Sequence, residues 1–133
     1  MEDIKKENKQ EETVANKTGL AVVPSPDTKI PEGAYVLTLA KPYTYEDKTY
    51  KELVFDFENL TGMDMISIET EMTTMGEILL SPEISLSFLS RMAARAAKIG
   101  SDVILHLPFR EFAKVKNRAQ NFLINTGFTE RIL

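Results

Sequence analysis

Residues 85–124 constrain this chain more than any other stretch, because they read as two amphipathic helices joined by a break at residues 100–108. In the first, Phe88, Leu89, Met92, Ala96 and Ile99 recur at helical spacing on one face, while Arg91, Arg95 and Lys98 gather on the opposite one. In the second, Phe109, Phe112, Ala119 and Leu123 make an apolar stripe, widened by Val115 and Phe122. Arg110, Lys114 and Arg118, four residues apart, make a basic stripe on that helix. A short amphipathic helix is marginal in water by itself. The two therefore have to bury their stripes on each other and on whatever precedes them.

What precedes them divides in two. Residues 1–33 are dominated at first by Glu, Lys, Gln, Asn and Thr, too polar to offset the entropy of ordering, and are expected to form a disordered arm. Within it, Leu20-Ala21-Val22-Val23 is an apolar island that serves either as linker or as a short docking segment. Pro24, Pro26 and Pro31 then keep the chain extended. From Tyr35 the pattern changes. Tyr35, Leu37 and Leu39 alternate onto one face of a strand that Pro42 should end or place at an edge. A second strand over residues 49–57 alternates Leu53, Phe55 and Phe57 with Glu52, Val54 and Asp56. With turn chemistry at Glu46-Asp47-Lys48 between them, the two should pair as an antiparallel hairpin. A lone hairpin is scarcely stable in water, so its Leu/Phe face should lie against the helices.

Thr61-Gly62-Met63-Asp64 has the form of a helix start, with Thr61 as cap and Asp64 reaching back to it. Met65, Ile68, Met72 and Met75 follow as one stripe, and Gly76 is the expected stop. Residues 77–84 are expected to be an apolar loop pressed against the core. Ser81 or Ser85 should cap the next helix, Gly100 should end it, a short turn should run through Leu105, and Pro108 suits the first position of the last helix. Residues 128–133 form a C-terminal tail.

Charge is unevenly spread. Residues 1–83 carry 17 acids and 8 bases, net −9, whereas residues 84–133 carry 3 acids and 8 bases, net +5. Either the acidic part lies over the basic part, or the split is a handle for a partner.

The search for chemistry finds little. There is no cysteine, which removes disulfides, thiolate zinc sites and thiol nucleophiles and suits a reducing compartment. The single histidine, His106, sits among Leu105, Leu107 and Pro108, with Asp102 the one nearby carboxylate, and suits a packed loop better than a metal or acid–base site. No phosphate loop, dinucleotide fingerprint or nucleophile elbow is present. No catalytic residue, metal ligand or cofactor site is assigned, and an enzyme is not expected. No apolar run approaches the roughly 20 residues of a membrane span, and Met1-Glu2-Asp3-Ile4-Lys5-Lys6 lacks the apolar region of a secretory signal.

Two surfaces remain. The basic face, Arg91, Arg95, Lys98, Arg110, Lys114 and Arg118, would suit a phosphate backbone, but the chain is acidic overall and has no tryptophan to stack on bases, so nucleic acid is disfavoured. The methionine stripe is either core or an adaptable partner groove. On the second view Met65, Ile68, Met72, Met75, Phe88 and Met92 are the partner-binding residues.

The order of these elements resembles a known family. Leu37-Thr38-Leu39-Ala40-Lys41-Pro42 is similar to the opening strand of the small tail assembly chaperones of long-tailed phages and prophages. Tyr50-Lys51-Glu52-Leu53-Val54-Phe55, the junction Leu60-Thr61-Gly62-Met63-Asp64 and the closing Gln120-Asn121-Phe122-Leu123 resemble that family too. The resemblance covers roughly residues 34–125; Arg110-Glu111 stand where the family often has an aspartate. It implies a non-enzymatic protein of the bacterial host cytoplasm, absent from the mature virion. Such a protein binds the tape-measure protein and helps recruit tail-tube subunits, with self-association as a further option and no membrane partner. The runners-up are a small nucleic-acid-binding adaptor and a minor virion protein of the tail or connector. The expected fold is α+β: an antiparallel hairpin followed by three helices over residues 34–127, behind the arm of residues 1–33.

Overall fold

The structure is a computed structural model that describes residues 30–128. The expected arm with its Leu20–Val23 island, and residues 129–133, lie outside the described residues. Strands β1 (Tyr35–Tyr45) and β2 (Lys48–Phe55) form a two-stranded antiparallel sheet. A 3-10 turn follows at Phe57–Asn59, then helix α1 (Gly62–Thr74), a second 3-10 turn at Pro82–Ile84, and helices α2 (Leu86–Ala97), α3 (Ser101–Leu105) and α4 (Phe109–Asn125). A hairpin leading into helices is thus the observed architecture. The short turn expected through Leu105 closes into one turn of α-helix.

The packing separates into two units. The first is the outer hairpin, Thr38–Leu53. Its two-residue turn holds Glu46 and Asp47 at φ 50° and 69°, both left-handed, as a hairpin twisted in the natural sense demands. The Thr44 and Thr49 hydroxyls face each other beside it at 2.8 Å. Pro42 does not end the strand: in a sheet of two, every strand has an open edge where a missing N–H goes unnoticed. Tyr43 stacks on Tyr45 and tilts against Tyr50. Burial first, and then the two neighbouring phenols, push the Tyr43 pKa up to about 12, so Tyr43 is neutral at physiological pH.

The second unit comprises residues 30–37 and the chain from Val54 onward, and α2 is its centre. Eight of the twelve residues of α2 are buried, including Ser90 and four alanines, because α1, α3 and α4 all pack on it. Small side chains let three neighbours approach one helix closely. The strand ends reach this unit through a run of aromatic rings. Tyr35 stacks on Phe55, Phe55 on Phe57, and Phe57 on Phe122 of α4 at 5.4 Å. The Asp56 N–H also donates to the Ala96 carbonyl. On α4 the buried line is Glu111, Val115, Ala119 and Leu123. Phe109, expected on the apolar stripe, is 88% exposed, because it opens the helix at a turn that faces water.

Helix ends follow local chemistry. Asp64 accepts the Thr61 N–H at 2.8 Å, as the start signal predicts. Ser85, rather than Ser81, caps α2 by accepting the Phe88 N–H. Gly76, at φ 81°, ends α1 with the Glu77 N–H on the Met72 carbonyl and its own on Thr73. Helix α2 stops by the same pairing, Ile99 N–H to Ala94 and Lys98 N–H to Arg95, but with Lys98 in the left-handed position at φ 59°. Gly100, expected to end α2, instead precedes α3 with extended backbone. Pro108 likewise stands just before α4, one residue outside its expected place.

Residues 77–84 meet the expectation in part. The 3-10 turn Pro82–Ile84 packs on α2 and α4, and Leu79 is half-buried. Ile78 and Leu80, by contrast, are 81% and 86% exposed, and the Ile84 side chain is exposed as well.

Replacing Lys98 by Gly removes the penalty of a side chain in left-handed backbone and should raise stability by about 1 kcal/mol in urea unfolding. Met72 is buried within α1, so Met72→Ala should cost about 2–5 kcal/mol. Met72→Lys should unfold the helical unit, which circular dichroism and thermal melting would show.

Candidate functional site

The residues expected to bind a partner do converge, but mostly beneath the surface. Ile68 and Met72 of α1, and Phe88 and Met92 of α2, are buried, so none of the four is a free surface. The reason is that this stripe is what α1 uses to adhere to α2. Yet Met65, Ile68, Phe88 and Met92 all line one open cleft of about 210 Å³, closed at the far side by Phe122 and Leu123 of α4. Met65 is half-buried at this cleft and Met75, past the end of α1, is exposed. Met72 is core and does not line this cleft. The cleft is mainly apolar, with the Asp64 carboxylate among its few polar groups.

The basic face has a different fate on each helix. On α2, Arg95 reaches Asp64 at 3.1 Å and Glu71 at 3.0 Å, while Arg91 reaches Glu71 at 3.3 Å and Glu77 at 3.6 Å. Ser87 donates to Glu77 at 2.6 Å and receives the Arg91 Nε–H, which ties the network to the start of α2. The acidic half of the chain therefore does lie over the basic half where α1 meets α2. Between them sits a polar pocket of about 370 Å³ with both signs of charge in its wall. Lys98 is exposed at its edge. On α4, Arg110 is exposed, Lys114 lies 3.5 Å from the buried Glu111, and Arg118 stands over the Tyr35 ring at 4.6 Å. The six bases do not form one surface of unengaged charge.

The Asp64 carboxyl is held below the ordinary carboxylate range. The Thr61 N–H is the largest cause, and the Arg95 guanidinium and the Thr61 hydroxyl add to it.

Two features escaped the sequence reading. One is the buried Glu111, which has the same spacing as the apolar residues of its stripe and no signal to set it apart. The other is the connection between α1 and α2, where Met75, Ile78, Leu80 and Ile84 stand exposed, as does Leu86 at the start of α2. Polar anchors hold it: the Glu77 carboxylate is bound by Ser87 and Arg91, and Gln120 donates to the Glu83 carbonyl at 2.8 Å. A signal did exist, since Ile78-Leu79-Leu80 shows neither helical nor strand periodicity. Such a run packs no face of its own.

His106 is exposed, with Nδ1 at 2.9 Å from the Asp102 carbonyl. Among the described residues no group of three His, Cys, Asp or Glu side chains could hold a metal ion. No described helix is long and apolar enough to cross a membrane. Compared with protein-family models, curated proteins and solved structures, the chain matches none.

Folding lowers the pKa of Asp64, so its contribution to stability is complete above the ordinary carboxylate value of about 4 and is lost as pH falls through the folded value. Urea midpoints followed from about pH 6 down to about pH 3 should therefore fall more steeply for the native chain than for Asp64→Asn. The variant should also start from a lower midpoint. Parallel curves would show that the charge on Asp64 does not matter.

Proposed function

We propose that this protein is a non-enzymatic tail assembly chaperone of a long-tailed phage or prophage, one that holds a helical segment of the tape-measure protein and helps recruit tail-tube subunits. The observation that carries this is the open apolar cleft: a rigid floor of Ile68, Phe88 and Met92 with the adaptable Met65 beside them. A floor already packed in the core costs no ordering on binding, while an unbranched thioether adapts to different side chains. Amphipathic helices dock by placing such anchors in a groove. The pinned, outward-facing apolar connection between α1 and α2 supplies a second patch of the kind that marks interaction surfaces. The chain order of hairpin, Leu60-Thr61-Gly62-Met63-Asp64 junction and closing helix supports the same family.

Binding nucleic acid through the basic faces fits less well, because Arg91 and Arg95 are already matched by carboxylates. The site of action on this proposal is the bacterial cytoplasm, and the protein is absent from finished particles.

The test is co-expression with the tape-measure protein encoded in the same genome, followed by pull-down and size exclusion. A soluble stoichiometric complex, with the tape measure insoluble when made alone, is the expected result. Met65→Asp should weaken that complex at least about tenfold, the equivalent of about 1.4 kcal/mol, while leaving the melting temperature nearly unchanged. Failure to form a complex, or recovery of the protein from purified particles, would overturn the proposal.

A further inference from the structure

Helix α4 carries a row of amides that the packing leaves unused. Of its carboxamide side chains, Gln120 donates to the Glu83 carbonyl. Asn117, Asn121 and Asn125, by contrast, are exposed and make no side-chain hydrogen bond among the described residues. They recur every four residues, which on a helix sets them about 6 Å apart along the axis and within about 80° of arc. Each offers N–H donors and a carbonyl acceptor, the complement of what one peptide unit offers. An extended chain repeats every two residues, about 6.6 Å, so successive outward peptide groups fall in step with the row. A helical partner could not use it, because its main-chain groups are already paired along its own axis.

The row borders a pocket. Asn121 and Asn125 line a space of about 310 Å³ together with the rings of Tyr35, Phe57 and Phe122. Phe57 is buried and the other two are half-buried, so the rings make its floor. A cavity of about 150 Å³ holds a benzene ring, so this one takes a large apolar side chain and the peptide units beside it. Arg118 and Glu58 line the same space without forming an ion pair with each other. The Arg118 guanidinium uses its flat face on the Tyr35 ring, 4.6 Å from the centroid, which leaves its in-plane N–H donors for a carboxylate. Charge selects the partner further. Arg110, Lys114 and Arg118 are exposed beside the row, while Glu111, the one carboxylate of α4, is buried. The outer face of this helix is thus amide and cation only, complementary to an acidic chain.

We propose that this face of α4 binds an extended, acidic segment of a partner protein. Its main chain pairs with Asn117, Asn121 and Asn125, a carboxylate meets Arg118, and one apolar side chain enters the aromatic pocket. Glu58, at the pocket wall, is placed to accept a main-chain N–H and sets the acid of the segment on the Arg118 side. The surface stands on α4 and its aromatic neighbours alone. It is separate in kind from the apolar cleft, which suits a helix, and does not depend on the function proposed above.

Because such a row reads main chain, a generic probe tests it. An end-blocked peptide of seven residues, alternating glutamate with valine or leucine, is titrated into the isotope-labelled full chain and followed by NMR. The side-chain amide signals of Asn117, Asn121 and Asn125 should shift, that of Gln120 should not, and half-saturation should fall at or below about 1 mM. Replacing Asn121 and Asn125 together by Ala should weaken binding at least about tenfold and leave the melting temperature nearly unchanged. The proposal is overturned if the asparagine signals stay still, or if only signals near Met65 move. It is also overturned if the double variant binds as well as the native chain and salt alone abolishes binding, since the contact would then be bare charge attraction. A single-stranded oligothymidylate that shifts the same signals and displaces the peptide would make nucleic acid the ligand and overturn it too. None of these readouts uses the tape-measure protein, so this surface and the proposed function stand or fall separately.

Discussion

Helix α2 is enclosed on most of its circumference and still carries two guanidinium groups, and that conflict governs the helical unit. A charge next to a packed face has to be matched, since an arginine cannot shed its proton to escape burial. Asp64 and Glu71 of α1, with Glu77 just beyond it, provide the match, each arginine touching two carboxylates. Exposed ion pairs contribute little singly, on the order of 0–1 kcal/mol. Here the Arg91 side chain is only 13% exposed, so the pairing acts mainly on geometry: it specifies how α1 lies on α2. Adhesion is left to Ile68 and Met72, the only two residues of α1 that are buried.

That division of labour explains where the cleft comes from. A helix that adheres through two side chains and is aligned by ion pairs need not close its N-terminal end onto α4. Phe88 and Met92 are covered by Ile68, but beside Met65 the surface opens toward Phe122 and Leu123. The same economy leaves part of the connection after α1 outside the core. Ile78, Leu80 and Ile84 face outward while Glu77, Glu83 and their partners hold its backbone in place. Both features present apolar surface from a preorganised frame. Preorganisation reduces the ordering cost of association, and it suits the holding role proposed above.

Much of the architecture was legible in residue order. Alternation at Tyr35, Leu37 and Leu39 and at Leu53 and Phe55 marked the hairpin, while Thr61, Asp64, Gly76 and Ser85 marked helix ends through short-range hydrogen bonds that a sequence displays directly. The boundaries that moved did so for local reasons. The left-handed stop of α2 fell on Lys98, which no propensity marks, and Gly100 was free to begin the next turn. The candidate site was harder to read. Periodicity put Met65, Ile68, Met72 and Met75 on one stripe and Phe88 and Met92 on that of the next helix, yet it could not say which of them would meet water.

The sequence by itself determined the kinds of element, their order, most of their caps, and the opposition of an acidic first part to a basic second part. These depend on contacts within a few residues or on charge counts. Only the tertiary structure decided that Arg91 and Arg95 are neutralised, that Met72 is core while Met65 lines a cleft, and that Ile78, Leu80 and Phe109 stand in solvent. An amphipathic stripe states that a face is apolar. Whether that face is covered depends on how many helices compete for α2, and no single helix carries that information.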